Sequence, residues 1–234
     1  MALPKLNAVM YDLELPYSKK KIQYRPFVVG EQKQLMIAME TKDDKQIMTT
    51  MKQAITACTN NTVEVGTLPL FELEYLFLNI RMKSVGEKTK IVLDCGTCQA
   101  QNTIDVDLRD TEFVEKKKVD SVILLTDSIA LKMNIPSMDI LNKIQKDKLT
   151  NAEQVFELTA ACVASILDKE EEYVIDDSNR KELYEFIDSL STDQFTKIQE
   201  WFDNMPSLKL HIKHECENCK SNMDTEMQGI SNFF

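Results

Sequence analysis

Two cysteine pairs, Cys95-Gly-Thr-Cys98 and Cys216-Glu-Asn-Cys219, constrain this chain more than any other feature. Each leaves two residues between thiols, the spacing at which one turn presents both sulfurs to a single ion, and two such knuckles supply the four ligands of tetrahedral zinc. Residues 99–215 separate the pairs, a span far longer than an ordinary zinc ribbon, so the pattern reads as a ribbon interrupted by an insertion. The flanks agree: Ile91 and Leu93 alternate before the first pair, Ile104, Val106 and Leu108 after it, and Leu208, Leu210 and Ile212 lead into the second. Alternating apolar residues mark half-buried strands, so each pair sits at the tip of a hairpin and the two tips can oppose each other around one metal. Cys95, Cys98, Cys216 and Cys219 are therefore the expected ligands of a structural Zn2+. A closed four-sulfur site has no free coordination position, so it stabilises a fold and activates no water. An iron or iron–sulfur centre and free redox thiols are the other readings of the same spacing.

The remaining candidates are weaker. Gln99 and Lys220 stand where a glycine commonly follows the second thiol of a knuckle. His211 shares strand phase with Lys213 and is expected to face outward, while His214 could donate a hydrogen bond to a sulfur. Cys58 and Cys162 lie in helical apolar patterns and are expected in the core. Twelve methionines, among them Met36, Met39, Met48 and Met51, fill the core or form an adaptable partner-binding face.

Charge narrows the partners. With 28 basic against 38 acidic residues the net charge is −10, which opposes a polyanionic ligand, since affinity for nucleic acid comes mainly from neutralised phosphates. Near the knuckles Lys213 and Lys220 are offset by Asp94, Glu215 and Glu217. No apolar run approaches the ~20 residues that span a bilayer, and the opening Met-Ala-Leu-Pro-Lys-Leu lacks a secretory core. A reducing cytosol is the expected compartment, where close cysteine pairs serve metals or redox chemistry more often than disulfides. Five glycines and two clustered histidines offer neither a phosphate-cradling loop nor a separate acid–base pair for a nucleophile, and Asp105 with Asp107 reads as a solvated strand face, so the chain is expected not to be an enzyme.

Along the chain, residues 10–15 and 21–27 read as a hairpin around Pro16-Tyr17-Ser18-Lys19, followed by helices over Gly30 to Glu40 and Asp44 to Cys58. A third helix is capped by Thr67, with Pro69 in its first turn and Phe71, Tyr75, Leu78 and Met82 on one side. A second hairpin is expected over Val122–Leu125 and Ile129–Met133. Helices are expected over Ser137–Lys146, Thr150–Leu167, Ser178–Leu190 and Ser191–Asn204, with Thr150/Glu153 and Ser191/Gln194 as capping boxes. The run Asp168 to Glu172 reads as a solvated loop. The terminal Gly229-Ile-Ser-Asn-Phe-Phe234 carries two aromatics that either fold back or anchor another protein.

The stretch Leu68-Pro69-Leu70-Phe71-Glu72-Leu73-Glu74-Tyr75-Leu76-Phe77-Leu78, continued by Ile80-Arg81-Met82-Lys83-Ser84-Val85-Gly86-Glu87, resembles the baseplate hub and hub-assembly proteins of T-even-type (T4-like) bacteriophages. Leu3-Pro4-Lys5-Leu6, the Tyr11 to Pro16 strand and Arg25-Pro26-Phe27 are similar to the same family, so the resemblance is specific over residues 1–110 and general beyond. It implies a late viral protein of the tail baseplate hub, either a chaperone-like assembly factor or a minor hub subunit and virion component. The resemblance further implies action by contacts with other hub or tail proteins, in the cytoplasm of the infected host during assembly or in the tail itself. No catalytic residue carries over. Within the motif, Gly86 suits a C-terminal cap and Arg81 the last turns of a helix.

The combined expectation is an α+β, mainly helical fold. An N-terminal hairpin with helices (1–86) precedes a zinc-ribbon-like module (87–108 with 207–234), and a helical insertion (109–206) lies between the knuckles. A zinc-ribbon nucleic-acid binder and a thiol oxidoreductase are the rival functions.

Overall fold

The computed structural model describes the chain apart from residues 1–7, 42, 143, 145–149, 170 and 230–234. In chain order its elements are β1 (Tyr11–Glu14), β2 (Lys21–Tyr24), α1 (Val29–Glu40), α2 (Asp44–Cys58), α3 (Leu70–Val85), β3 (Lys88–Asp94), β4 (Gln101–Asp107) and β5 (Glu112–Val114). Then follow β6 (Val122–Leu124), β7 (Ala130–Met133), α4 (Met138–Leu141), α5 (Asn151–Cys162), β8 (Val163–Leu167), β9 (Glu172–Val174), α6 (Arg180–Asp188), α7 (Thr192–Asp203), β10 (Ser207–Glu215) and β11 (Asn222–Gln228). They form two units: one runs to Val114 and resumes at Ser207, the other is Glu115–Pro206.

In the first unit α3 is the organising helix. Its sequence is apolar around most of its circumference, and Phe71, Leu73, Leu76, Phe77, Leu78 and Ile80 are all buried, as expected of a helix packed on several sides. Pro69 occupies the cap position, where its missing N–H costs nothing. Thr67, the expected cap, instead closes a preceding 3-10 turn by donating to the Glu64 carbonyl at 3.0 Å. At the other end Gly86 adopts φ 114°, a conformation open essentially to glycine, and its carbonyl accepts from the buried Arg81 guanidinium at 3.0 Å. Leu78 of α3 joins Ile91, Val106, Leu108, Leu208, Leu210 and Ile212 in one core. The alternating residues of both knuckle-bearing strands thus share one apolar cluster, which brings the two hairpins together. The β3–β4 pair is its own sheet, while β10 lies between β11 and β5.

The second unit is not a helical insertion. A four-stranded antiparallel sheet, ordered β6-β7-β8-β9, packs with α5, α6 and α7 around Ile123, Leu131, Met133, Cys162, Val163, Leu183, Ile187, Ile198 and Trp201. Helix through Leu167 is corrected: α5 stops at Cys162 and the chain continues directly as β8. No breaker marks the change. Val163 and Ser165 become buried by pairing with β7 and β9, and tertiary pairing overrides local helix preference. Glu172, expected in a loop, enters β9, where Ser165 donates to its carboxylate at 2.7 Å. The capping boxes at Thr150/Glu153 and Ser191/Gln194 are both present. Of the expected Ser137–Lys146 helix only the four residues of α4 are helical; Asn142 is a turn, Ile144 lies outside any element, and positions 143, 145 and 146 lie outside the described residues.

With about 39% helix and 27% strand, seven helices and eleven strands in four small sheets among the described residues, the fold is α+β and the expectation of a mainly helical protein is overturned.

Candidate metal centre

The two knuckles are the same turn built twice. After the last strand pair of β3–β4, Cys95 N–H donates to the Ala100 carbonyl and Gln99 N–H to the Cys95 carbonyl, each at 2.9 Å. After the last pair of β10–β11, Cys216 donates to Ser221 and Lys220 to Cys216, again each at 2.9 Å. Gln99 and Lys220 take φ 62° and 60°, the left-handed region that glycine fills in most knuckles; the turn keeps its shape and the side chains carry the strain. Gln99→Gly and Lys220→Gly should each leave metal content unchanged and raise stability by about 0.5 to 1 kcal/mol, the left-handed penalty less the added freedom of the unfolded glycine. Thermal melting beside elemental analysis measures both.

The hairpin β1–β2 ends in a third copy of this turn: Leu15 donates to Lys20 at 2.9 Å, Lys19 to Leu15 at 3.1 Å, and Lys19 has φ 58°. Leu15 and Ser18 occupy the two cysteine positions. The comparison isolates what the turn does by itself. Its third and fourth amides point inward as an anion nest; in the thiol-free copy Tyr17 and Ser18 N–H donate to Glu72 Oε1 at 3.0 and 2.6 Å. In the first knuckle the same third amide, Thr97 N–H, lies 3.4 Å from Cys95 Sγ.

The four thiols meet. Their sulfurs all lie within 4.8 Å of one another, the one such group among the described residues. The short edges run between knuckles, Cys95 to Cys219 and Cys98 to Cys216, both 3.7 Å. A tetrahedron with about 2.3 Å from metal to sulfur has edges of about 3.8 Å, so the donor set fits a four-coordinate thiolate ion such as Zn2+. Cys95 and Cys216 are fully buried, Cys98 is partly covered and Cys219 is exposed.

The surroundings favour thiolate. A hydrogen bond from Ser221, helped by the Cys98 and Thr97 amides, holds the Cys95 thiol down to about 5. The Cys219 and Asn218 amides lower Cys216. Asn218 pulls Cys98 the same way, but desolvation and the neighbouring Cys219 and Cys95 outweigh it and leave Cys98 raised, since a nearby thiolate disfavours a second negative charge.

Two asparagines, which sequence spacing did not single out, tie the knuckles together. Asn102, almost fully buried, accepts from the Glu217 amide of the second knuckle at 3.0 Å and donates to Ala100 of the first at 2.9 Å. Asn218 of the second knuckle donates to Cys98 Sγ at 3.5 Å. An asparagine at a knuckle edge is the only signal the sequence offers, and it is indistinguishable there from ordinary turn chemistry.

Neither histidine joins the sulfur cluster. His211 faces outward beside Glu226, Nε2 to carboxylate 3.4 Å. His214 makes no hydrogen bond to a sulfur; both its ring nitrogens are buried and without a hydrogen-bond partner among the described residues. Cys58 and Cys162 are completely buried, apart from this cluster, where burial pushes each thiol up to about 12.

A family model described as T4 bacteriophage base plate protein matches residues 8–234, so the match that the N-terminal motif suggested extends through the second unit and the second knuckle. Neither a curated protein nor a solved structure matches the chain. With nearly its whole length aligned to that model, the chain belongs to the T4 bacteriophage base plate protein family.

Proposed function

We propose that this baseplate protein acts in assembly of the tail hub, as an assembly factor or minor hub subunit, through protein–protein contacts and without catalysis, and that Cys95, Cys98, Cys216 and Cys219 hold a structural Zn2+. The observation that carries the metal half is the four-sulfur cluster whose 3.7 Å edges span the two hairpins. Four sulfurs saturate a tetrahedral ion, leaving no position for water or substrate, so the ion would serve to staple residues far apart in sequence. Membership of the baseplate family supports the assembly half.

The surroundings speak against both rivals. Lysines near the knuckles are paired with acids, Lys213 with Asp224 and Lys220 with Glu215 at 3.8 Å, and so are poorly placed to neutralise phosphates. Each thiol pair sits at a hairpin tip and not at the helix N-terminus that activates a redox cysteine, and the closest sulfur neighbours belong to opposite knuckles.

Two measurements test the reading. Protein purified without added metal should carry about one zinc per chain; elemental analysis below a tenth of that, with four freely titrating thiols, would remove the site. Mass spectrometry of purified tails and of infected-cell lysate decides the role: presence in lysate alone means assembly factor, stoichiometric presence in tails means subunit, and failure of hub components to co-purify in either fraction rejects the hub. Pull-down with a chain lacking Ile230–Phe234, which lie outside the described residues, asks whether the terminal aromatics are the anchor.

A further inference from the structure

Helix α1 is apolar on two sides. Leu35 and Ala38 are buried, yet Val29, Met36 and Ile37 are 82%, 58% and 49% exposed. A surface helix ordinarily turns a polar face to water. At 3.6 residues per turn Val29, Lys33, Met36, Ile37 and Glu40 share the outer face, and Lys33 and Glu40 are exposed as well. These two charges lie two turns apart, roughly 10 Å along the axis, with Met36 and Ile37 at the midpoint. The face therefore runs from positive, through apolar, to negative.

Such a face complements its own copy laid antiparallel. A two-fold axis through the Met36–Ile37 midpoint sets Lys33 of one copy against Glu40 of the other, and the reverse, while Met36 and Ile37 of both copies pack around the axis. The parallel arrangement would oppose like charges at both ends. We propose that α1 is a self-association surface through which two copies of this chain pair antiparallel. The contact of one 12-residue helix falls at the small end of specific interfaces, so the pairing is weak and depends on concentration. It rests on this chain alone and does not depend on the hub reading.

Sedimentation velocity of the full chain from about 10 to 200 µM at low salt tests it. The wild type is expected to shift from monomer toward dimer, and raising salt to reverse the shift. Lys33→Glu and Glu40→Lys should each weaken association about tenfold, since each turns two attractions into repulsions, and the double exchange should restore it to within about threefold. Met36→Asp, or Ile37→Asp as a second probe, should abolish it. Because all four side chains are exposed, the variants should melt within a few degrees of the wild type. A wild type that stays monomeric overturns the proposal. So does a dimer that tolerates both aspartate variants, or a double exchange that does not recover, the last leaving this face to a different protein.

Discussion

Cys95→Ser and Cys216→Ser are each expected to release the metal and to lower the melting temperature of the first unit by about 10 °C, corresponding to a loss on the order of 4 kcal/mol. Both side chains are fully buried, so each variant removes a ligand from the covered side of the site and puts a neutral hydroxyl in its place. The double variant should cost little more than either single one, because both destroy the same ion site and coupled losses do not add. Differential scanning calorimetry with zinc analysis of the three variants measures this. Additive losses would mean that each knuckle binds its own ion. The second unit, with its separate core, should melt as before, which gives an internal control.

Glu72→Ala is expected to cost about 3 kcal/mol, read as a lower denaturant midpoint of the first unit at unchanged slope. The Glu72 side chain is entirely buried at the start of α3, and its Oε1 fills the amide nest of the β1–β2 turn. Removing it takes the carboxylate acceptor from two partly covered N–H groups, and a hydrogen bond to a charged group contributes about 1.5–3 kcal/mol. Glu72→Gln keeps one acceptor oxygen and should lose only about 1 kcal/mol, whereas it would behave like alanine if charge rather than acceptance held the turn. Metal content should be unaffected in both. Carboxylate and thiolate thus perform the same task in two copies of one turn.

Much of the site is legible in the sequence. The x-x spacing within each pair and the alternating strands beside them follow from local geometry: a knuckle needs only six residues, and a strand's two-residue period is written directly in the chain. The same locality made the N-terminal hairpin, α1, α2 and the two capping boxes readable, since a cap is settled by residues three apart. Gly86 was legible for a similar reason, because a positive φ ends α3 and glycine alone takes it cheaply.

The tertiary structure decided the rest. Nothing near Cys162 announces that helix gives way to strand; β8 exists because β7 and β9 flank it, and those partners lie far away in sequence. The three-residue β5 and β9 are likewise created by pairing, which is why the chain reads as more helical than it is. The recurrence of the knuckle turn at Leu15–Lys20 was hidden, since no thiol marks it, and so were Asn102 and Glu72, whose partners sit 115 and 55 residues away. Sequence thus determined which groups could bind a metal and which segments carry local periodicity, because those properties depend on near neighbours. Only the folded chain could decide which polar groups become buried and whom they must face, because desolvation acts between residues that the sequence keeps apart.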